Sequence, residues 1–256
     1  MTLAPPSSAP SAGAPGAGSP GAMSMSPGGA AHPAGSPTSA ALDAGLAPLL
    51  LPLDLRFSPE QFALICKANP EAVLELAADG QLIAMTPTGG DTSMRNTRLL
   101  TRMQTWAERQ GGFVVFDSSD GFRLPDGSVL SPDAAVVGLE RWQALTPEQR
   151  RGFPPLCPEL VIELASPSDE GPRGETALRR KMAAYLANGA LLGWLLFPER
   201  RAVEIWRAPS PQPDPAASPA FPSTGVDLVL LEPADVLEGR EIFPGLRLGL
   251  AEIWAV

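Results

Sequence analysis

Pro158-Glu159-Leu160-Val161-Ile162-Glu163-Leu164-Ala165-Ser166 is an apolar run of strand length with one acid inside it. Its length and aliphatic content predict a buried strand over Leu160 to Ala165. By the period-two alternation of a strand, Glu163 shares a face with Val161 and Ala165. An ionised carboxylate in such surroundings is costly unless a cation or hydrogen-bond donors meet it. The turn-rich Ser166-Pro167-Ser168-Asp169 follows, and then a helix is expected from Glu175 to Ala187, closed by Asn188-Gly189. That helix can pack back over the strand it follows. Leu191 to Phe197 reads as a second apolar strand.

The same reading extends to both sides. Ser58-Pro59-Glu60-Gln61 is a capping box with proline at the first helical position, predicting a helix to about Ala68. Val73 to Ala77 and Gln81 to Met85 flank Asp79-Gly80, a hairpin signal. Thr92 to Gln110 is amphipathic, with Leu99, Met103, Trp106 and Gln110 on one face, and Gly111-Gly112 ends it. Phe113 to Phe116 and Gly121 to Leu124 read as strands. Pro125-Asp126-Gly127 turns the chain, and Val129 to Val137 returns as one strand. Thr146-Pro147-Glu148 starts a short helix. Val203 to Trp206, Val226 to Leu231 and a tail ending in Leu250 to Trp254 complete an α/β (α+β) fold, a mixed central sheet flanked by helices.

Residues 1–48 are Pro, Gly, Ala, Ser and Thr with few other types, and Asp43 is the only charged side chain. Such a segment buries too little to offset its chain entropy, so disorder is expected. Residues 49–256 suit one domain. Within it, 208–225 holds six prolines and reads as a surface loop.

Composition excludes several kinds of chemistry. The chain has 256 residues, two cysteines (Cys66 and Cys157) and one histidine, His32, inside the low-complexity tract. A disulfide framework, a four-ligand zinc site, a Ser-His-Asp triad and a Cys-His pair are all disfavoured. No apolar stretch approaches the roughly 18 residues that span a bilayer. No signal peptide is visible, so a cytoplasmic location is expected. A net charge of −9 argues against a broad basic nucleic-acid footprint.

Asp133, in Ser131-Pro132-Asp133-Ala134-Ala135, sits at the mouth of an expected strand. Asp133 and Glu163 on neighbouring strands, with a backbone carbonyl, would make a hard oxygen site suited to Mg²⁺ or Mn²⁺. An arginine partner is the plainer alternative. Only two of the 19 basic residues are lysines, Lys67 and Lys181. A lysine kept at 181, directly after Arg179-Arg180, suggests that a compact ammonium is wanted there. Tyr185, the only tyrosine, lies one turn on along the same helix face. Asp, Glu and Lys around a metal form a phosphodiester-cleaving constellation that needs neither His nor Cys.

Other residues receive plainer readings. Arg95, Arg98, Arg102 and Arg109 fall near one helical stripe; a solvated face is favoured over phosphate contact. Asn96, on the same helix, is expected in a cap or loop contact rather than at the site. Gly89-Gly90 lacks the sequence of a nucleotide loop. The tryptophans read as core or edge packing, no aromatics interleave with basic residues as a base-stacking surface would require, and Cys157 reads as a buried thiol.

Several further segments recur in a familiar order: Leu74-Glu75-Leu76 through Asp79-Gly80-Gln81-Leu82-Ile83, Met85-Thr86-Pro87-Thr88-Gly89-Gly90, and Gly121-Phe122-Arg123-Leu124-Pro125-Asp126-Gly127. Ser131-Pro132-Asp133, Glu163 to Asp169, Lys181-Met182 with Tyr185, Gly193-Trp194-Leu195 and Phe243-Pro244-Gly245-Leu246 follow. From about Phe57 to Trp254 the chain resembles the Uma2 family, a bacterial group with a PD-(D/E)XK, restriction-endonuclease-like fold. The resemblance implies that Asp133 is the metal-binding acid of the Pro-Asp signature and Glu163 the second metal ligand. Lys181 would replace the lysine of the Glu-x-Lys motif, because Ala165 stands two residues after Glu163. Glu75 would be an extra acid at the metal, directly or through water; pairing across its own strand is the alternative. The implied activity is a Mg²⁺- or Mn²⁺-dependent endonuclease acting on nucleic acid, with DNA favoured and a homodimer open. A catalytically silent interaction module with the same fold is the competing reading, and a two-carboxylate glycosidase ranks below both.

Overall fold

The computed structural model describes residues 52, 54–85, 88–208 and 226–255. The expected disordered tail, 1–48, and all but Ala208 of the Pro-rich loop, 208–225, lie outside the described residues.

The capping box forms as the sequence predicts: Ser58 Oγ accepts the Gln61 N–H and Gln61 Oε1 accepts the Ser58 N–H, opening α1 (Pro59–Ala68). β1 (Leu74–Leu76) and β2 (Leu82–Ala84) form the hairpin over Asp79-Gly80. Asp79 Oδ1 accepts the Gln81 N–H, and Gly80 turns the chain at φ 82°. A Cβ there would also lie 2.8 Å from the Phe57 carbonyl oxygen. Gly80→Val is therefore expected to lower stability by about 2 kcal/mol, read as a fall of several degrees in melting temperature.

The chain continues through α2 (Gly90–Gln110), β3 (Phe113–Asp117), β4 (Phe122–Arg123), β5 (Val129–Leu130), β6 (Ala134–Gly138), α3 (Leu139–Ala144) and α4 (Pro147–Arg151). β7 (Leu160–Leu164), α5 (Pro172–Ala187), β8 (Leu192–Phe197) and β9 (Ala202–Arg207) follow. β10 (Asp227–Leu231), a hairpin of β11 (Val236–Glu238) and β12 (Arg247–Gly249), and α6 (Ala251–Trp254) end it. No helix of the described residues is long and apolar enough to cross a membrane.

The main sheet has six strands in the order β10-β9-β8-β7-β6-β3. Only β7 and β8 are parallel. A parallel pair needs a long crossover, and α5 supplies it. Val161 and Ala165 pack with Met182 and Tyr185 of α5 on one face. Leu160, Ile162 and Leu164 pack with Leu99, Met103 and Trp106 of α2 and with α6 on the other. This confirms the face expected for Glu163. α5 comes close to β8 at Gly193, where a Cβ would lie 2.3 Å from Met182 Cε. Its outer side is tied to β9 by Arg179, whose Nε donates to Glu204 Oε1 at 2.8 Å and whose Nη2 donates to Glu175 Oε2 at 2.9 Å.

One expected strand is two. Val129 to Val137 divides into β5, which joins β2, β1 and β4 in a second antiparallel sheet, and β6, which joins the main sheet. Pro132 has no N–H to continue a ladder. The polar groups of Ser131 are taken instead by side chains: its N–H donates to Glu75 and its carbonyl accepts from Lys181. The break at 131–133 is thus where the two sheets meet.

Candidate active site

All four expected residues converge at that junction. Glu75 is the middle residue of β1, Asp133 precedes β6, Glu163 is the fourth residue of β7, and Lys181 lies in mid-α5. The β6–β7 register pairs Ala134 with Ile162, so the next pair along is Asp133 and Glu163, facing the same side. Lys181 Nζ stands 2.8 Å from Glu75 Oε1, 2.9 Å from Glu163 Oε1 and 2.9 Å from the Ser131 carbonyl oxygen. The Ser131 carbonyl accepts one of its protons, and Glu75 stands at ion-pair distance. The contact with Glu163 has ion-pair distance but not the direction of a hydrogen bond. Glu75 Oε1 also accepts the Ser131 N–H at 2.8 Å.

Asp133 is fixed separately. Its Oδ2 accepts the Leu164 N–H at 2.8 Å and its Oδ1 accepts from Asn96 Nδ2 at 3.1 Å. Asn96 is thus a site residue, against the expectation of a cap or loop contact. Its signal in the sequence was a polar residue three positions before Leu99 on an otherwise amphipathic helix, which does not by itself identify a partner 37 residues away. Arg102 and Arg109 are exposed as expected of a solvated stripe, but Arg95 and Arg98 depart from it. Arg95 is buried and pairs with Glu199 at 3.3 Å; Arg98 donates to the carbonyls of Glu252 and Ala255, and Arg102 pairs with Glu252. The Arg98 and Arg102 contacts clamp α6 onto α2, whereas Arg95 reaches the turn after β8. The buried thiol is as expected: Cys157 is pushed up to about 12 by burial.

Burial dominates the electrostatics. Glu75 and Glu163 are each 3% exposed. Burial pushes the Glu163 carboxyl up to about 8; Lys181 opposes the rise, and Asp133 and Glu75 add repulsion that supports it. Asp133 is raised by burial too, against the Leu164 N–H, Lys181 and Asn96, which favour its ionised form. Burial pulls Lys181 down, but Glu163, Glu75 and Asp133 outweigh it and hold the ammonium above the usual lysine range. Tyr185 is raised by burial and by Glu163, so its hydroxyl stays neutral.

One ammonium faces three carboxyl groups, and ionising all three would leave an excess of negative charge in a buried place, which is why Glu163 and Asp133 are raised. Hard oxygen donors with surplus charge are the chemistry a divalent cation requires. Asp133, Glu163 and Glu75 are the residues able to hold one. Among the described residues no three His, Cys, Asp or Glu side chains already stand together as ligands. Lys181 stands between Glu75 and Glu163 instead. Above Glu75, Glu163 and Lys181 opens a cleft of about 540 Å³, walled by the β1–β2 hairpin and by α5.

A mixed sheet with an acid at the start of one strand, a second acid in its neighbour and a lysine on the crossover helix defines a restriction-endonuclease-like domain. The chain belongs to the Uma2 family, described as "Putative restriction endonuclease", whose sequence pattern matches residues 59–251. A solved structure from Anabaena variabilis ATCC 29413, described as "a putative nuclease belonging to DUF820", is similar over 78% of this chain and 98% of its own, with a TM-score of 0.57 and 18% identity. That likeness is one of fold. No curated protein matches the chain.

Proposed function

We propose that the protein is a metal-dependent endonuclease that hydrolyses phosphodiester bonds in nucleic acid, with DNA the favoured substrate. The observation that carries this reading is Lys181, held by Glu75, Glu163 and the Ser131 carbonyl beside Asp133 at the floor of a cleft. Asp133, Glu163 and Glu75 would hold Mg²⁺ or Mn²⁺, which when bound withdraws charge from a phosphate and acidifies water.

The chain's own residues have separable tasks. Lys181 keeps its proton at any physiological pH and offers positive charge to the phosphate oxygens as the reaction adds charge to them. Glu163, whose carboxyl burial raises to about 8, must give up its proton to hold a cation, so cation binding and protonation compete there. The Leu164 N–H and Asn96 fix both oxygens of Asp133, and the Ser131 N–H fixes Glu75. Fixed carboxylates need little reorganisation during the reaction.

The test is calorimetric titration with Mn²⁺, followed by cleavage assays on single-stranded and duplex DNA. Wild-type protein is expected to bind Mn²⁺ stoichiometrically and to cleave DNA in at least one of these forms. Asp133→Ala is expected to keep its fold by circular dichroism and to lose both. A folded, Mn²⁺-loaded wild-type protein that is inert on duplex and single-stranded DNA and RNA would overturn the reading in favour of a silent interaction module.

A further inference from the structure

The walls of the cleft are unlike its floor. Glu75, Glu163 and Lys181 lie at the bottom, and Asp79, Asp126 and Asp169 also line the cleft, but most of its lining surface is apolar, with Ala77, Ile83 and Met85 on the hairpin side and Ala177, Leu178 and Ala184 on α5. Ile83 is 36% exposed and Met85 45%, large apolar side chains standing in water at the mouth. A hydrated, anionic sugar–phosphate chain gains nothing from such walls. The part of a nucleotide that does gain is the flat face of its base, and a thioether such as that of Met85 is a favourable neighbour for an aromatic ring. The volume is that of a small-molecule site.

Charge points the same way. Arg179 is engaged by Glu204 and Glu175, whereas its neighbour Arg180 is exposed, lines the cleft and makes no ion pair among the described residues. Over an acidic floor, Arg180 is a cation left free for a backbone phosphate. The acids at the bottom of the cleft are nearly inaccessible, while a duplex presents its phosphates on a wide convex surface with its bases stacked inside. A single strand can turn a base into such a cleft without first unpairing it.

We infer that the cleft seats one unstacked nucleobase between the β1–β2 hairpin and α5, with Arg180 on the adjoining backbone, and that the substrate is single-stranded nucleic acid. This rests on the nuclease reading and names the form of its substrate. The sequence lacked interleaved aromatic and basic residues because this seat is built from aliphatic side chains and a thioether.

Fluorescence anisotropy tests it, in Ca²⁺ buffer so that binding is read apart from cleavage. The probes are an oligothymidylate, a chain of abasic sugar phosphates of equal length and charge, and a blunt duplex. The oligothymidylate is expected to bind about tenfold tighter than the other two. Ala177→Trp, filling the seat from an exposed helical position, should remove that advantage; Met85→Glu at the mouth should do the same if the tryptophan disturbs folding. Arg180→Ala should weaken every probe and lower the salt slope by about one. Equal binding of thymidylate and abasic chains overturns the seat. A duplex that is preferred and cleaved also overturns it but leaves the nuclease reading standing. Failure to bind or cleave any nucleic acid overturns both.

Discussion

Lys181→Met is expected to cost the protein its cleavage and a large part of its stability together. The ammonium is 88% buried by its side-chain exposure of 12%, and it is the only cation within reach of Glu75 and Glu163 among the described residues. Removing one member of a buried ion pair costs about 3–5 kcal/mol, because the remaining charge stays buried without a partner. Here two carboxylates lose their partner and the Ser131 carbonyl loses a donor. For a domain of this size that is a fall of about 10 °C in melting temperature. The carboxylates can relieve the loss by taking protons, so the deficit should be larger at pH 8 than at pH 5. Cleavage should fall by at least about 10²–10³, the range for deleting one preorganised charge donor.

Lys181→Arg separates the two effects. Guanidinium keeps the positive charge but spreads it over a planar fork, so the stability deficit should shrink while cleavage stays low. Urea unfolding and DNA cleavage, measured on both variants, read the two quantities independently. A Lys181→Met protein as stable as wild type would contradict the burial and pairing described above; one as active would remove Lys181 from the reaction.

The residues around this lysine show which parts of the architecture were legible in sequence. The β7–α5 unit was legible because its signals are local: an aliphatic run, a strand period that fixed the face of Glu163, and a helix with its own end signal. Lys181 stood out because arginine fills almost every other basic position. The junction of the two sheets was not legible. A stretch from Val129 to Val137 satisfies strand propensity almost throughout, and what divides it is contact with Glu75 and Lys181, 56 and 50 residues away. Asn96 and Arg95 were hidden for the same reason. On an amphipathic helix a polar residue is by default solvated, and only tertiary packing placed Asp133 beside one and Glu199 beside the other. The short β11–β12 hairpin carries no strong local pattern, and it forms by packing Leu237, Leu246 and Leu248 against the α2 face of the sheet.

Without divalent cations, the protein is expected to be more stable at pH 5 than at pH 8, the reverse of ordinary acid denaturation. Glu163 titrates at about 8 in the folded chain, against an ordinary value of 4.5, because burial and the neighbouring acids oppose its charge. Between those pH values the folded chain holds a proton that the unfolded chain gives up. Stability must then fall as pH rises through the interval, by about 5 kcal/mol in all, and level off above it. Asp133, also raised, acts in the same direction. Lys181 is charged in both states across the window and adds no slope. Asp126, whose carboxyl is lowered by Ser128 and Asn188 against the opposing effect of burial, loses its contribution only as pH falls through the carboxylate range, which pH 5 largely avoids. Thermal unfolding in EDTA at half-unit steps from pH 5 to 8 should show a decline of about 10–20 °C. Glu163→Gln should flatten most of it, since the amide carries no charge at either end. Excess Mn²⁺ should oppose the decline, because a cation binds the ionised carboxylates that the proton otherwise occupies. Melting temperatures that rise from pH 5 to 8 in EDTA, or a Glu163→Gln profile as steep as wild type, would show that Glu163 is not the strained acid of this site.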